Sequence, residues 1–208
     1  MLFRSLTGNL LAALSAHPAK LVHLSTLDVY APPAGDAVLS ETSPLAPVSA
    51  YALSKQKAEQ LCHDLTHRHA VPCITARLTQ IFGPGDPSQK FIPNMIRKAR
   101  AGLPIELFGD GSDLRDFLFV DDAATLLAAL TENMGASGIF NVASGTSRSL
   151  NDVLTIASGI LRRELAVKLL PRKKALLNYR FDIAKLNGAT SITSFNSFAT
   201  SLERTFNP

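Results

Sequence analysis

An α/β fold on parallel strands is predicted from three features of the 208-residue chain. Short apolar runs of the buried-strand type alternate with longer helix-like segments, the order that gives crossover-connected parallel sheets. Clusters of Gly, Pro, Asp and Ser separate them. Two hydroxyls, Ser25 and Thr26, close the first apolar run, at the carboxyl edge where open α/β sheets bind ligands.

Residues 6–16 read as a helix of the fold. Thr7, Gly8 and Asn9 interrupt what could be mistaken for a signal peptide, and the segment runs straight into Leu21-Val22-His23-Leu24. Residues 20–25 form a short strand of the doubly buried type. A Pro-rich loop follows over 31–48, then a long helix over 49–69 with Ser49 as its N-cap. Residues 71–78 form a second buried strand. Gly83-Pro84-Gly85-Asp86-Pro87 is a loop, and residues 91–101 are a helix closed by Gly102. Strands are expected at 105–108 and 117–120, with Asp121 capping a helix to Leu130. A strand at 139–142 precedes a helix from the Ser149 cap to about Leu161. The tail is more polar and less periodic. Residues 1–130 thus read as part of a doubly wound sheet, with 79–116 contributing in part to a smaller lobe. Residues 131–208 read as a return strand and the rest of that lobe.

Hydrophobic residues make up 46% of the chain without low-complexity tracts, which places it among globular proteins. The net charge is +4, but Lys and Arg are scattered and do not alternate with aromatic residues. This points away from nucleic acid and suits an anionic small substrate. The two cysteines, Cys62 and Cys73, have neither metal-ligand spacing nor the number for a disulfide framework, so no metal is expected and the cytoplasm is the expected location. No apolar run approaches the roughly 20 residues of a membrane span.

Tyr51-Ala-Leu-Ser-Lys55 puts a phenol and an ammonium on one helix face. A neighbouring cation favours the phenolate, which makes tyrosine a usable acid/base. With a hydroxyl donor such as Thr26, the pair can deprotonate an alcohol or protonate a carbonyl during hydride transfer. Taken alone, Ser25-Thr26 reads first as a cap or a satisfied turn, and the Tyr51–Lys55 pair that follows shifts it toward a site. Gly109-Asp110-Gly111 opens like a dinucleotide fingerprint, but Leu114 holds the third glycine position and a strand follows, which excludes a cofactor loop. Within that segment Arg115 is either a diphosphate clamp or an ion-pair partner of Asp110, Asp113 or Asp116.

In order along the chain stand Ser25-Thr26-Leu27-Asp28-Val29-Tyr30, Pro47-Val48-Ser49-Ala50-Tyr51-Ala52-Leu53-Ser54-Lys55 with Glu59, and Arg77-Leu78-Thr79-Gln80-Ile81-Phe82-Gly83-Pro84. Gly109 to Asp122 and the trio Gly138, Asn141 and Gly145 follow, and Thr7-Gly8-Asn9-Leu10-Leu11 precedes them. This series resembles the extended short-chain dehydrogenase/reductase family, and within it the NAD-dependent epimerase/dehydratase branch acting on nucleotide sugars. The resemblance implies a partial Rossmann-like sheet with a small C-terminal substrate-binding lobe.

By that resemblance Tyr51 is the general acid/base. Lys55 lowers its pKa and holds the nicotinamide ribose, and Thr26 hydrogen-bonds the reacting oxygen. Gln80, Arg115 and Arg172 contact the substrate, and the cofactor is NAD or NADP. Gln80 stands where the family has Asn, and Ala175 where some epimerases carry Asp. Leu27 replaces the carboxyl that sugar dehydratases place after the Thr, which favours epimerisation over loss of water. A ketoreductase and a non-catalytic binding module are the alternatives. The resemblance also implies a homodimer through a four-helix bundle that includes residues 49–69. A glycine-rich strand-turn-helix, which opens such enzymes, is missing from this sequence, so it looks like the catalytic and substrate-binding portion of a longer ancestor.

Overall fold

The computed structural model describes Asn9 and residues 20–69, 71–172 and 175–207. The helix expected over 6–16, and with it all of the Thr7-to-Leu11 motif but Asn9, lies outside the described residues.

The main sheet is parallel, with strands in the order β1 (Leu21–Thr26), β3 (Cys73–Leu78) and β7 (Gly138–Val142). Leu21 pairs with Cys73 and Thr26 with Leu78, while Leu78 pairs in turn with Val142. β3 is central, so its two faces are both covered and its sequence reads as an unbroken apolar run save for Thr75 and Arg77. Cys73 and Arg77 face helix α1 (Ala50–His69), against Cys62 and Glu59. Ile74 and Ala76 face the opposite layer, where they pack on Leu126 and Leu130 of α3 (Val120–Glu132) and Leu186 of α5 (Ala184–Thr190).

A second core lies beyond the carboxyl edge of this sheet. There β4 (Gln80–Phe82) runs parallel to β6 (Leu114–Phe119), and β8 (Ser147–Ser149) pairs antiparallel with β6. β5 (Ile105–Phe108) runs parallel to β9 (Val167–Leu170). Phe82, Phe117 and Phe119 pack with Met95 of α2 (Phe91–Arg100), Val153 of α4 (Leu150–Leu161) and Leu202 of α6 (Phe198–Phe206). A short parallel pair, β2 (Val38–Leu39) with β10 (Arg180–Phe181), bridges the loop after β1 to the tail.

Local signals hold where they depend on near neighbours. Ser49 Oγ accepts from the Ala52 amide at 3.0 Å, and Ser149 forms a reciprocal capping box with Asp152. Gly102 ends its helix at φ +66°. Asp121 is a correction: the helix cap is Phe119, and Asp121 and Asp122 sit in the first turn, where they complement the helix dipole. β6 also begins at Leu114, three residues earlier than expected, because β8 pairs with its first half. No helix among the described residues is long and apolar enough to cross a membrane.

Candidate functional site

Thr26 ends β1, and its Oγ1 accepts from the Asp28 amide at 3.3 Å, capping a one-turn 3-10 helix over Leu27–Val29. Beside it opens a cleft of about 350 Å³ lined by Thr26, Asp28, Gln80, Lys90, Phe91 and Arg115. A second cavity of about 460 Å³ is lined by Leu107, Phe108, Arg115, Arg172, Ala175 and Leu177. Phe91, Arg115 and Leu150 line both, so the two cavities adjoin, from the end of β1 to the segment after β9. Of the residues expected from the sequence, Thr26 and Gln80 line the first cavity, Arg172 the second, and Arg115 both; Tyr51 and Lys55 line neither.

The arginines are oriented by neighbouring acids and carbonyls. Arg115 donates to the carbonyls of Leu114 at 2.9 Å and Leu177 at 2.7 Å, lies 3.7 Å from Asp113, and stacks over Tyr179 at 5.3 Å. Arg172 pairs with Asp113 at 2.8 Å and Asp110 at 2.7 Å. Of the sequence alternatives for Arg115, the acidic neighbour is present as Asp113, and the guanidinium also lines both cavities. The glycine-rich segment serves Arg172. Gly109 has φ +92°, and a Cβ there would stand 2.6 Å from the Arg172 Nη2.

Tyr51 lies in the first turn of α1 and is 50% exposed. Lys55 Nζ stands 5.8 Å from the Tyr51 ring centroid and donates to the Leu24 carbonyl at 2.8 Å, which holds it at the edge of β1. The Tyr51 hydroxyl has no hydrogen-bond partner among the described residues. Burial, then the Asp28 carboxylate, push its pKa above the ordinary tyrosine range. The shift runs opposite to the lowering expected from Lys55: burial disfavours the phenolate first, the Asp28 charge adds to it, and the Lys55 ammonium donates to the Leu24 carbonyl.

Behind the cleft is a buried polar network. Glu59, two turns beyond Tyr51 on α1, accepts from Arg77 Nε at 3.1 Å, from Arg77 Nη2 at 2.8 Å and from Ser25 Oγ at 2.5 Å. Arg77 also stacks on Tyr30, whose hydroxyl donates to Asn141. Ser25 is thus engaged on the α1 side of β1, while Thr26 lines the cleft. The network ties the strand that carries Thr26 to the helix that carries Tyr51 and Lys55.

Asp116, next to Arg115, is buried and accepts from the amide and hydroxyl of Ser144, both at 2.9 Å. Burial outweighs these bonds and pushes its pKa up to about 6 from an ordinary 3.8. The folded state then binds more protons than the unfolded one between those values, so this group's contribution to stability falls as pH rises through that window. Relative to the parent, Asp116→Asn is expected to gain up to about 3 kcal/mol between about pH 4 and pH 7. Urea melts of both proteins at the two pH values measure it; parallel pH profiles would count against it.

The family model for the NAD dependent epimerase/dehydratase family matches residues 4–143. The chain belongs to that family. Among curated relatives, a dTDP-glucose 4,6-dehydratase of Xanthomonas campestris pv. campestris (strain B100) is 30% identical over 142 residues, covering 68% of this chain and 40% of the relative. The chain thus spans about 40% of the length of such a relative. Among solved structures, a UDP-glucuronic acid 4-epimerase from Bacillus cereus, in complex with UDP-glucuronic acid and NAD, superposes with a TM-score of 0.88. Its identity is 24%, covering 99% of this chain and 66% of that one. A UDP-N-acetylglucosamine 4-epimerase from Methanobrevibacter ruminantium M1, in complex with UDP-N-acetylmuramic acid, is 25% identical with a TM-score of 0.88, covering 97% and 66%.

Within this epimerase/dehydratase framework, Leu27 is buried against Tyr30, Leu39 and Phe181, so no carboxyl follows Thr26 directly. The family motif at Gly138, Asn141 and Gly145 is structural: Asn141 donates to the Leu39 and Asp182 carbonyls and joins β7 to the tail. Sequence reasoning missed Lys90 and Phe91. The available signal was a cation immediately before a helix with no capping side chain.

Proposed function

We infer that this chain carries the catalytic and substrate-binding portion of an NAD(P)-dependent nucleotide-sugar epimerase. The observation that carries this reading is the pair of adjoining cavities, one lined by Thr26, Gln80 and Arg115, the other by Arg115 and Arg172, here taken together as one trough. Its far end has Leu107, Phe108 and Leu177, a fit for a nucleoside, and its middle has Arg115, a fit for a diphosphate. Lys90 and the uncapped start of α2 add positive potential toward the β1 end.

In this mechanism Tyr51 takes the proton of the sugar hydroxyl and later returns it. Thr26 holds the reacting oxygen, and Lys55 and Tyr51 hold the ribose of the dinucleotide. That donor set, a half-exposed phenol and an ammonium at the β1 edge, fits a ribose diol. A nicotinamide dinucleotide, when bound, supplies the hydride acceptor and donor. A phenol held above its ordinary range serves directly as the acid toward a keto oxygen. Its action as a base calls on the Lys55 charge. Leu27 supports epimerisation over dehydration, since eliminating water requires a further acid and base. Exposed Val48 and Leu53, just before and within the start of α1, support homodimerisation through that end of the helix, which sedimentation would detect.

Calorimetric titration with UDP and dTDP tests the trough without any turnover. Arg115→Ala and Arg172→Ala are each expected to weaken binding about 10- to 100-fold, the worth of a charged hydrogen-bonded contact. Equal affinity in parent and variants would remove the diphosphate from this trough.

A further inference from the structure

Away from the trough, α1 carries a stripe of metal-ligating side chains on successive turns: Gln60, His63, Asp64 and His67. The Nε2 atoms of His63 and His67 stand 3.0 Å apart, with ring centroids 4.2 Å apart and tilted by 55°. Both rings are exposed. Asp64 lies 3.8 Å from the other His63 nitrogen, Nδ1, and accepts from Gln60 Nε2 at 3.0 Å. A carboxylate beside Nδ1 favours the proton there, which leaves the Nε2 lone pair of His63 available.

We propose that His63 and His67 form a bidentate site for a divalent transition ion of the Cu2+ or Ni2+ type. Imidazole donors favour late first-row ions, with Cu2+ at the top of the affinity order. Imidazole nitrogens about 2.0–2.1 Å from a metal stand about 2.9 Å apart when adjacent in a square plane, and about 3.3 Å apart in a tetrahedron. At 3.0 Å both nitrogens can reach one ion with small ring movements. Mg2+ and Ca2+ take oxygen donors and are not expected to bind. No group of three or more His, Cys, Asp or Glu ligands gathers among the described residues, so water completes the coordination and affinity rests on the two-imidazole chelate. Each imidazole binds the ion through Nε2 as the neutral tautomer that carries its proton on Nδ1. The site stands about 18 Å along the helix from Tyr51 and does not depend on the nucleotide-sugar reading.

Calorimetric titration of the 208-residue chain with Ni2+ tests this, since Ni2+ leaves the buried thiols of Cys62 and Cys73 unoxidised. One ion per chain is expected, with no heat from Mg2+. His63→Gln and His67→Gln are each expected to weaken binding about tenfold or more, because either change removes the chelate. Ni2+ is also expected to raise the melting temperature of the parent and of neither variant. Circular dichroism of the variants verifies that α1 is intact. Parent-like Ni2+ affinity in either folded variant, or Mg2+ binding as tight as Ni2+, would overturn the proposal.

Discussion

Glu59→Ala is expected to destabilise the fold by about 3–5 kcal/mol, because it strands the Arg77 guanidinium in a dry interior. The side chains of Arg77 and Glu59 are only 2% and 7% exposed, so the guanidinium is left largely desolvated without its carboxylate. Arg77 keeps the Glu41 carbonyl at 3.1 Å and its contact with Tyr30. Ser25 loses its acceptor at the same time. For a chain of this size the change corresponds to a fall of about 10 °C or more in melting temperature. The apolar double variant Glu59→Leu with Arg77→Met is expected to recover much of the loss, since replacing both partners removes the uncompensated charge. Thermal melts of the three proteins decide the matter. A single variant melting within a degree or two of the parent would show that the pair is solvated.

Tyr51→Phe is expected to lower turnover about 10²- to 10⁴-fold when assayed in a chain that also carries a dinucleotide-binding half. The substitution removes one oxygen from a half-exposed ring and no hydrogen bond among the described residues, so stability is expected to change by less than about 0.5 kcal/mol. Nucleotide affinity in the trough is expected to stay at the parent value, because Arg115 and Arg172 are untouched. The signature is therefore a loss of kcat with KM and melting temperature preserved. Asp28→Asn gives the complementary result: removing the carboxylate that faces the phenol moves the Tyr51 pKa down. Parent-like turnover in Tyr51→Phe would take the phenol out of the reaction.

Much of this protein was legible before any coordinates. Ser49 and Ser149 announce their helices because a cap needs only a hydroxyl and an amide two or three residues on. Thr26, Gln80, Arg115 and Arg172 could be selected because each falls at a recognisable place in an ordered series of motifs. Asp121 misled, since an acid in a first turn and an acid at a cap look alike when the preceding strand runs straight into the helix. Lys90 went unseen because its meaning depends on what lies across the cleft from it.

The amino-acid order alone determined the alternation of strands and helices, the caps and the family, because these rest on periodicity and on groups a few residues apart. Three-dimensional packing decided the rest. It brought Glu59 against Arg77, set two cavities on either side of Arg115, and half-buried the Tyr51 phenol so that burial, with the Asp28 charge second, raises its pKa. Charge interactions depend on distance and burial, and neither is a property of a residue's neighbours along the chain.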